Sequence, residues 1–117
     1  MNLKKAKAVC RALPGATEDI KWGADLVYSI GGKMFAVTGA DDDASGISLK
    51  VDDERFLELT DRPGIVPSPY LARAKWIRIV DFKAVGDAEA AALLKRSYEL
   101  VFAKLTKKLQ REISGAA

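Results

Sequence analysis

The apolar positions change their period along the chain, and each change marks an element. Leu3, Ala6, Cys10 and Leu13 recur at three- and four-residue steps, one stripe of a helix that Asn2 is placed to cap. Pro14-Gly15 stops that helix. A polar stretch follows from Ala16 to Gly23, interrupted by Trp22, and is assigned no element. The period then becomes two. Leu26, Tyr28 and Ile30 alternate with Val27 and Ser29, and after Gly31-Gly32 a second run extends from Lys33 to Thr38. Two glycines between alternating runs predict a hairpin, because both can take positive φ. A two-residue loop pairs Ile30 with Lys33, Tyr28 with Phe35 and Leu26 with Val37, and puts Leu26, Tyr28, Phe35 and Val37 on one face.

Gly39 to Gly46 reads as an acidic turn, and Ile47, Leu49 and Val51 as a third strand with Ser48 and Lys50 facing away. Asp52 is placed to cap a short helix through Phe56, Leu57 and Leu59, which ends before Pro63-Gly64. Ile65-Val66 predicts a brief strand that Pro67 and Pro69 confine to an edge or a bend. Pro69 to Ala74 has room for one helical turn, and Trp76 to Val80 is a firmer strand. Gly86-Asp87 opens the longest element, a helix whose stripe of Leu94, Tyr98, Val101, Leu105 and Leu109 runs to about Ile113. The order α-β-β-β-α-β-β-α predicts an α+β fold, a two-layer sandwich with helices on one side of an antiparallel sheet.

Composition narrows the chemistry. The 117 residues suit one domain, read as 1–117, long enough to bury a core without metal or disulfide staples. A single cysteine excludes an internal disulfide and a Cys-rich metal site. The absence of histidine excludes Ser-His-Asp and Cys-His relays, His-ligated zinc and an imidazole pH switch. No apolar run approaches a membrane span, and the first residues lack the apolar core of a signal peptide, so a cytoplasmic location is expected. The net charge is only +3, but it is segregated. Residues 1–15 carry +4, 16–62 carry −6, 63–83 carry +3 and 84–117 carry +2. Such segregation can present a positive face to a polyanion.

A set of local blocks resembles a known family. Leu13-Pro14-Gly15-Ala16-Thr17-Glu18-Asp19 with Trp22-Gly23 is the first, and Gly31-Gly32-Lys33-Met34-Phe35-Ala36 the second. Ser48-Leu49-Lys50-Val51, Pro69-Tyr70 with Trp76, and Ser97-Tyr98-Glu99-Leu100-Val101 complete the series. Their order resembles the bacterial MmcQ/YjbR-like family, described as DNA-binding with a double-wing motif, over nearly the whole chain. The resemblance implies a CyaY-like, α-β3-α-β2-α arrangement. Many members carry an Asn-Lys-x-His-Trp type segment before the late strand, where this chain has Ala72-Arg73-Ala74-Lys75-Trp76. Only the basic character, in Arg73 and Lys75, carries over.

The candidate residues are therefore cations. Lys33 follows the hairpin turn, where a wing could reach a phosphate, and Lys50 faces away from the apolar side of its strand. Arg73, Lys75, Arg78 and Lys83 form the densest basic cluster outside the helices, interleaved with Tyr70 and Trp76. Such groups neutralise phosphates, and an exposed ring stacks on a base. Each also has a plainer use as a solubilising charge. Trp22 and Trp76 read as packing anchors, Tyr98 as core, and Cys10 as a small buried hydrophobe. Lys104, Lys107, Lys108 and Arg111 suit the negative end of a helix dipole. Asp41-Asp42-Asp43 lacks the spacing of a calcium loop and reads as a solvated turn, and Gly31-Gly32 is not a phosphate loop. No catalytic constellation, cofactor site or metal site is read. The expectation is a non-enzymatic nucleic-acid-binding module that contacts duplex DNA through phosphates. The alternative is an adaptor for a protein or small ligand, built on a frataxin-like or secretion-chaperone-like fold.

Overall fold

The structure, a computed structural model, describes residues 1–40, 46–69 and 71–115. The Asp41–Asp43 run and Tyr70 lie outside the described residues. The elements are α1 (Leu3–Ala12), β1 (Thr17–Lys21), β2 (Asp25–Ile30), β3 (Lys33–Gly39), β4 (Ile47–Lys50), α2 (Phe56–Thr60), β5 (Ile65–Pro67), β6 (Trp76–Ile79), α3 (Asp87–Phe102) and α4 (Lys107–Ser114). The strands form one sheet in the order β1-β2-β3-β4-β6-β5, antiparallel at every junction. The α+β class and the layering agree with the sequence pattern.

Asn2 caps α1 as expected, its side chain accepting the Lys5 amide. Helix α1 packs on α3, α3 on β3 and β4, and α2 on β5 and β6, so the helices cover one face of the sheet. That face supplies the core, with Tyr28, Ile30, Phe35, Ile47, Leu49, Ile77 and Ile79 buried beneath Ala6, Cys10, Leu94 and Tyr98. Tyr98 stands edge-on to Phe35 at 5.5 Å between ring centroids, and its hydroxyl donates to the Pro14 carbonyl. Burial pushes the Cys10 thiol up to about 12, which makes it an unreactive packing group.

Several local readings need correction. Thr17–Lys21 is a strand, β1, although all five of its residues are exposed and give no apolar alternation. Trp22 is no packing anchor: it sits at the β1–β2 hairpin tip, 71% exposed and with φ +51°. The hairpin register begins as predicted at Ile30 and Lys33 but shifts after Ser29 and Met34, so that Tyr28 faces Ala36 and Leu26 faces Thr38. Phe35 is the extra residue of this bulge. Val37 therefore pairs with Val27 and Ser48, on the face away from the helices. The long terminal helix is also broken after Phe102, because Thr106 accepts the Leu109 amide and starts α4 as a separate helix.

Asp52 does not cap the turn that follows it. Its carboxylate instead takes two hydrogen bonds from the Arg96 guanidinium, at 2.8 and 2.9 Å, tying β4 to α3. The bulge has a further consequence. Beyond Ala36 and Leu49, the ladder would next join Phe35 and Lys50. The buried Ser97 hydroxyl of α3 fills that place, accepting the Lys50 amide at 2.9 Å and donating to the Phe35 carbonyl at 2.6 Å.

Candidate nucleic-acid interface

Antiparallel pairing brings sequence-distant cations to one end of the sheet. The β2–β3 turn, the end of β4 and the start of β6 all lie there, since Ile30 pairs with Lys33 and Lys50 with Trp76. Gly31 and Gly32 make the turn with φ of +59° and +82°. Gly31 is favoured for a second reason: a Cβ there would stand 2.6 Å from Leu105 Cδ1, so the hairpin rests directly on the segment that follows α3. The turn leaves Lys33 exposed at the start of β3.

Lys50 ends β4. Its side chain is half-buried, and its ammonium donates to the Ala74 carbonyl at 2.5 Å. Burial, and then the positive charge of Lys104, hold the Lys50 ammonium below the ordinary lysine range. An approaching anion would offset the repulsion between the two cations. The chain at both ends of the 68–75 segment is tied to β4 and the residue after it: the Ser68 hydroxyl donates to Ser48, and the Val51 amide to the Lys75 carbonyl. A 3-10 turn at Ala72–Ala74 exposes Arg73. Lys75 follows in the left-handed conformation, with φ +62°, and places its ammonium 5.1 Å above the Phe56 ring.

The predicted set is thus divided. Lys33, Lys50, Arg73 and Lys75 share the sheet end. Arg78 does not; it lies mid-strand on the face away from the helices, opposite Ser48 and Val66. Lys83 lies past the other end of β6, in a 3-10 turn where its amide bonds to Asp81. Trp76 is buried and so offers no ring for stacking. The residue missed was Lys104. Its place near the end of a helical pattern gave it a sufficient role, and nothing local indicated that the chain would turn there, beside Lys50.

Ion pairs hold four arginines elsewhere in the molecule. Arg11 pairs with Glu18, Arg55 with Glu58, Arg62 with Glu89 and Arg96 with Asp52, all at 2.7–2.8 Å. Among the described residues, no ion pair within 4 Å is made by Lys33, Lys50, Arg73, Lys75 or Lys104. The arrangement is a cationic rim that can accept several phosphate groups. Elsewhere, no group of three or more Cys, Asp or Glu residues that could hold a metal occurs among the described residues, and no helix among them is long and apolar enough to cross a membrane.

The YjbR family model matches residues 11–100, a span that includes the hairpin, Lys50, Arg73 and Lys75. The chain belongs to the YjbR family. Among solved structures, this YjbR chain is similar to Deinococcus radiodurans protein DR2400, a DUF419 domain, with 29% identity and a TM-score of 0.82. That alignment covers 97% of this chain and 88% of the other. A Pseudomonas syringae protein shares the fold at 22% identity and a TM-score of 0.71, over 86% of this chain and 99% of its own. No curated protein matches the chain. Lys104 falls outside the family match, in the segment that leads to α4.

Proposed function

We propose that this YjbR protein is a non-enzymatic nucleic-acid-binding module that grips the phosphate backbone with the cationic end of its sheet. The observation that carries the reading is the convergence of sequence-distant cations on one end of the sheet. Five cations converge on the hairpin tip, the β4 and β6 ends and the segment after α3, and among the described residues none of the five makes an ion pair within 4 Å. Leaving like charges together is unfavourable, and a bound polyanion offsets it. The exposed ends of these side chains suit phosphate oxygens. Among the described residues no helix presents a row of Arg, Asn and Gln to read base edges, so sequence preference is slight.

A second reading rests on a different feature. A cleft of about 430 Å³ lies between the Pro14 turn, α3 and α4, lined by Tyr98, Glu99, Phe102, Ile113 and Ser114. Its mainly apolar walls would suit a small ligand, the adaptor reading. The two are separated by fluorescence anisotropy with short duplex DNA. The nucleic-acid reading predicts binding at about 50 mM salt that weakens by ~100-fold or more at 200 mM, as four or five neutralised phosphates require. The variant Lys33→Glu/Arg73→Glu/Lys104→Glu should lose most of this binding, and Lys83→Glu should keep it. Absence of any binding at low salt sinks the reading. Equal binding by the triple variant would place the interface elsewhere.

A further inference from the structure

One row of side chains crosses the core face of the sheet from edge to edge: Ile65, Ile79, Ile47, Thr38, Leu26 and Ile20, one from each strand. The first five are buried. Ile20, on β1, is 64% exposed. Strand β1 is the last of the sheet, so among the described residues one side of its backbone has no ladder partner. Edge strands are normally blunted by charge, and β1 does carry Glu18, Asp19 and Lys21. Those charges, however, have a self-complementary pattern.

We propose that β1 pairs antiparallel with β1 of a second copy of this chain, with the twofold axis at Ile20. In that register Ile20 meets its own counterpart, and the apolar row continues across the junction into the second sheet. Asp19 faces the partner's Lys21, and Lys21 faces the partner's Asp19, so two opposite-charge pairs form at once. Lys21 already lies across from Asp25 on β2, which makes it the centre of an acid-base-acid row running over the interface. Neighbouring registers lack this match. An axis at Asp19 sets two aspartates against each other, one at Glu18 two glutamates, and one at Lys21 two lysines. The interface is small, so association is weak and concentration-dependent. It lies on the edge strand away from the cationic sheet end and is independent of DNA binding.

Sedimentation equilibrium of the full chain, from low micromolar to millimolar protein, tests the proposal. The expected result is a reversible dimer whose dissociation constant rises about fivefold or more in Asp19→Lys and in Lys21→Glu, and recovers in the double variant. Thermal melts of the same proteins check that each is folded. Hydrogen exchange at residues 17–21 should slow with protein concentration in the wild type and not in the single variants. A chain that remains monomeric at millimolar concentration overturns the proposal. So does a dimer indifferent to both charge reversals, with amides 17–21 exchanging freely.

Discussion

Replacing Ser97 by alanine removes one oxygen from the centre of the molecule and should cost more than its size suggests. The Ser97 hydroxyl takes the place of the backbone bond that the bulge at Phe35 prevents, joining the Lys50 amide to the Phe35 carbonyl. Ser97 is fully buried and Phe35 lies in the core. In Ser97→Ala both backbone groups lose their partner, and the cavity left is too small to admit a water readily. Two lost hydrogen bonds with orphaned partners destabilise by about 2–4 kcal/mol. The better helix propensity of alanine returns roughly 0.5 kcal/mol. The net expectation is a loss of about 2–3 kcal/mol, or on the order of 10 °C in melting temperature for a chain of this size. Urea unfolding followed by tryptophan fluorescence measures it, because Trp76 passes from a buried site to water while Trp22 is exposed throughout. Lys95→Ala, on the exposed side of α3, is the control and should change stability by about 0.5 kcal/mol or less. A loss below about 1 kcal/mol in Ser97→Ala would show that the two strands do not depend on the serine bridge.

Other substitutions probe the elements that hold the cationic end. Gly31→Ala should destabilise by about 2 kcal/mol or more, since it adds a clash with Leu105 to an unfavourable positive φ, whereas Gly32→Ala meets open space and should cost only about 1 kcal/mol in the same melts. Equal effects would remove Leu105 from beneath the hairpin. Tyr98→Ala should cost about 3–5 kcal/mol and Tyr98→Phe about 1 kcal/mol, because the ring packs on Phe35 and Phe102 while the hydroxyl makes one bond to Pro14. A severe loss in Tyr98→Phe would contradict that division. Hydrogen bonds from Arg96 hold the Asp52 carboxyl below its ordinary value. A folded-state pKa below the unfolded one stabilises the protein above about pH 4, and the contribution is lost as pH falls through the lower folded value. In Arg96→Gln the Asp52 carboxyl should titrate higher in an NMR pH series, with a smaller acid-dependent loss of stability; an unmoved titration would deny the ion pair.

The parts of this fold legible from sequence were those with one dominant local cause. Asn2 and the α1 stripe, the glycine pair of the hairpin, the alternation of β4 and the prolines that confine β5 to an edge each act within a few residues, and the structure contains each as read. Strand β1 was hidden because its pairing with β2, and not burial, makes it a strand. Phe35 and Val37 looked equivalent by alternation. The bulge that separates them is bridged by Ser97, 62 residues from Phe35 in sequence. The candidate site divides in the same way. Lys33 was marked by its turn, but convergence with Lys50, Arg73 and Lys75 is a matter of strand order. Lys83 seemed part of the same cluster because proximity along β6 does not reveal that a strand carries its two ends apart.

A two-dimensional amide NMR titration with a short duplex DNA, at about 50 mM and at physiological salt, tests the nucleic-acid reading most directly. Gly31 to Met34, Lys50, Arg73 to Lys75 and Lys104 should shift together at low salt and move back as salt rises. Amides around Lys83 and along β1 should stay in place. Shifts centred on Lys83 or β1, or a spectrum unchanged by DNA at low salt, would contradict the assignment of the cationic sheet end as a phosphate-binding surface.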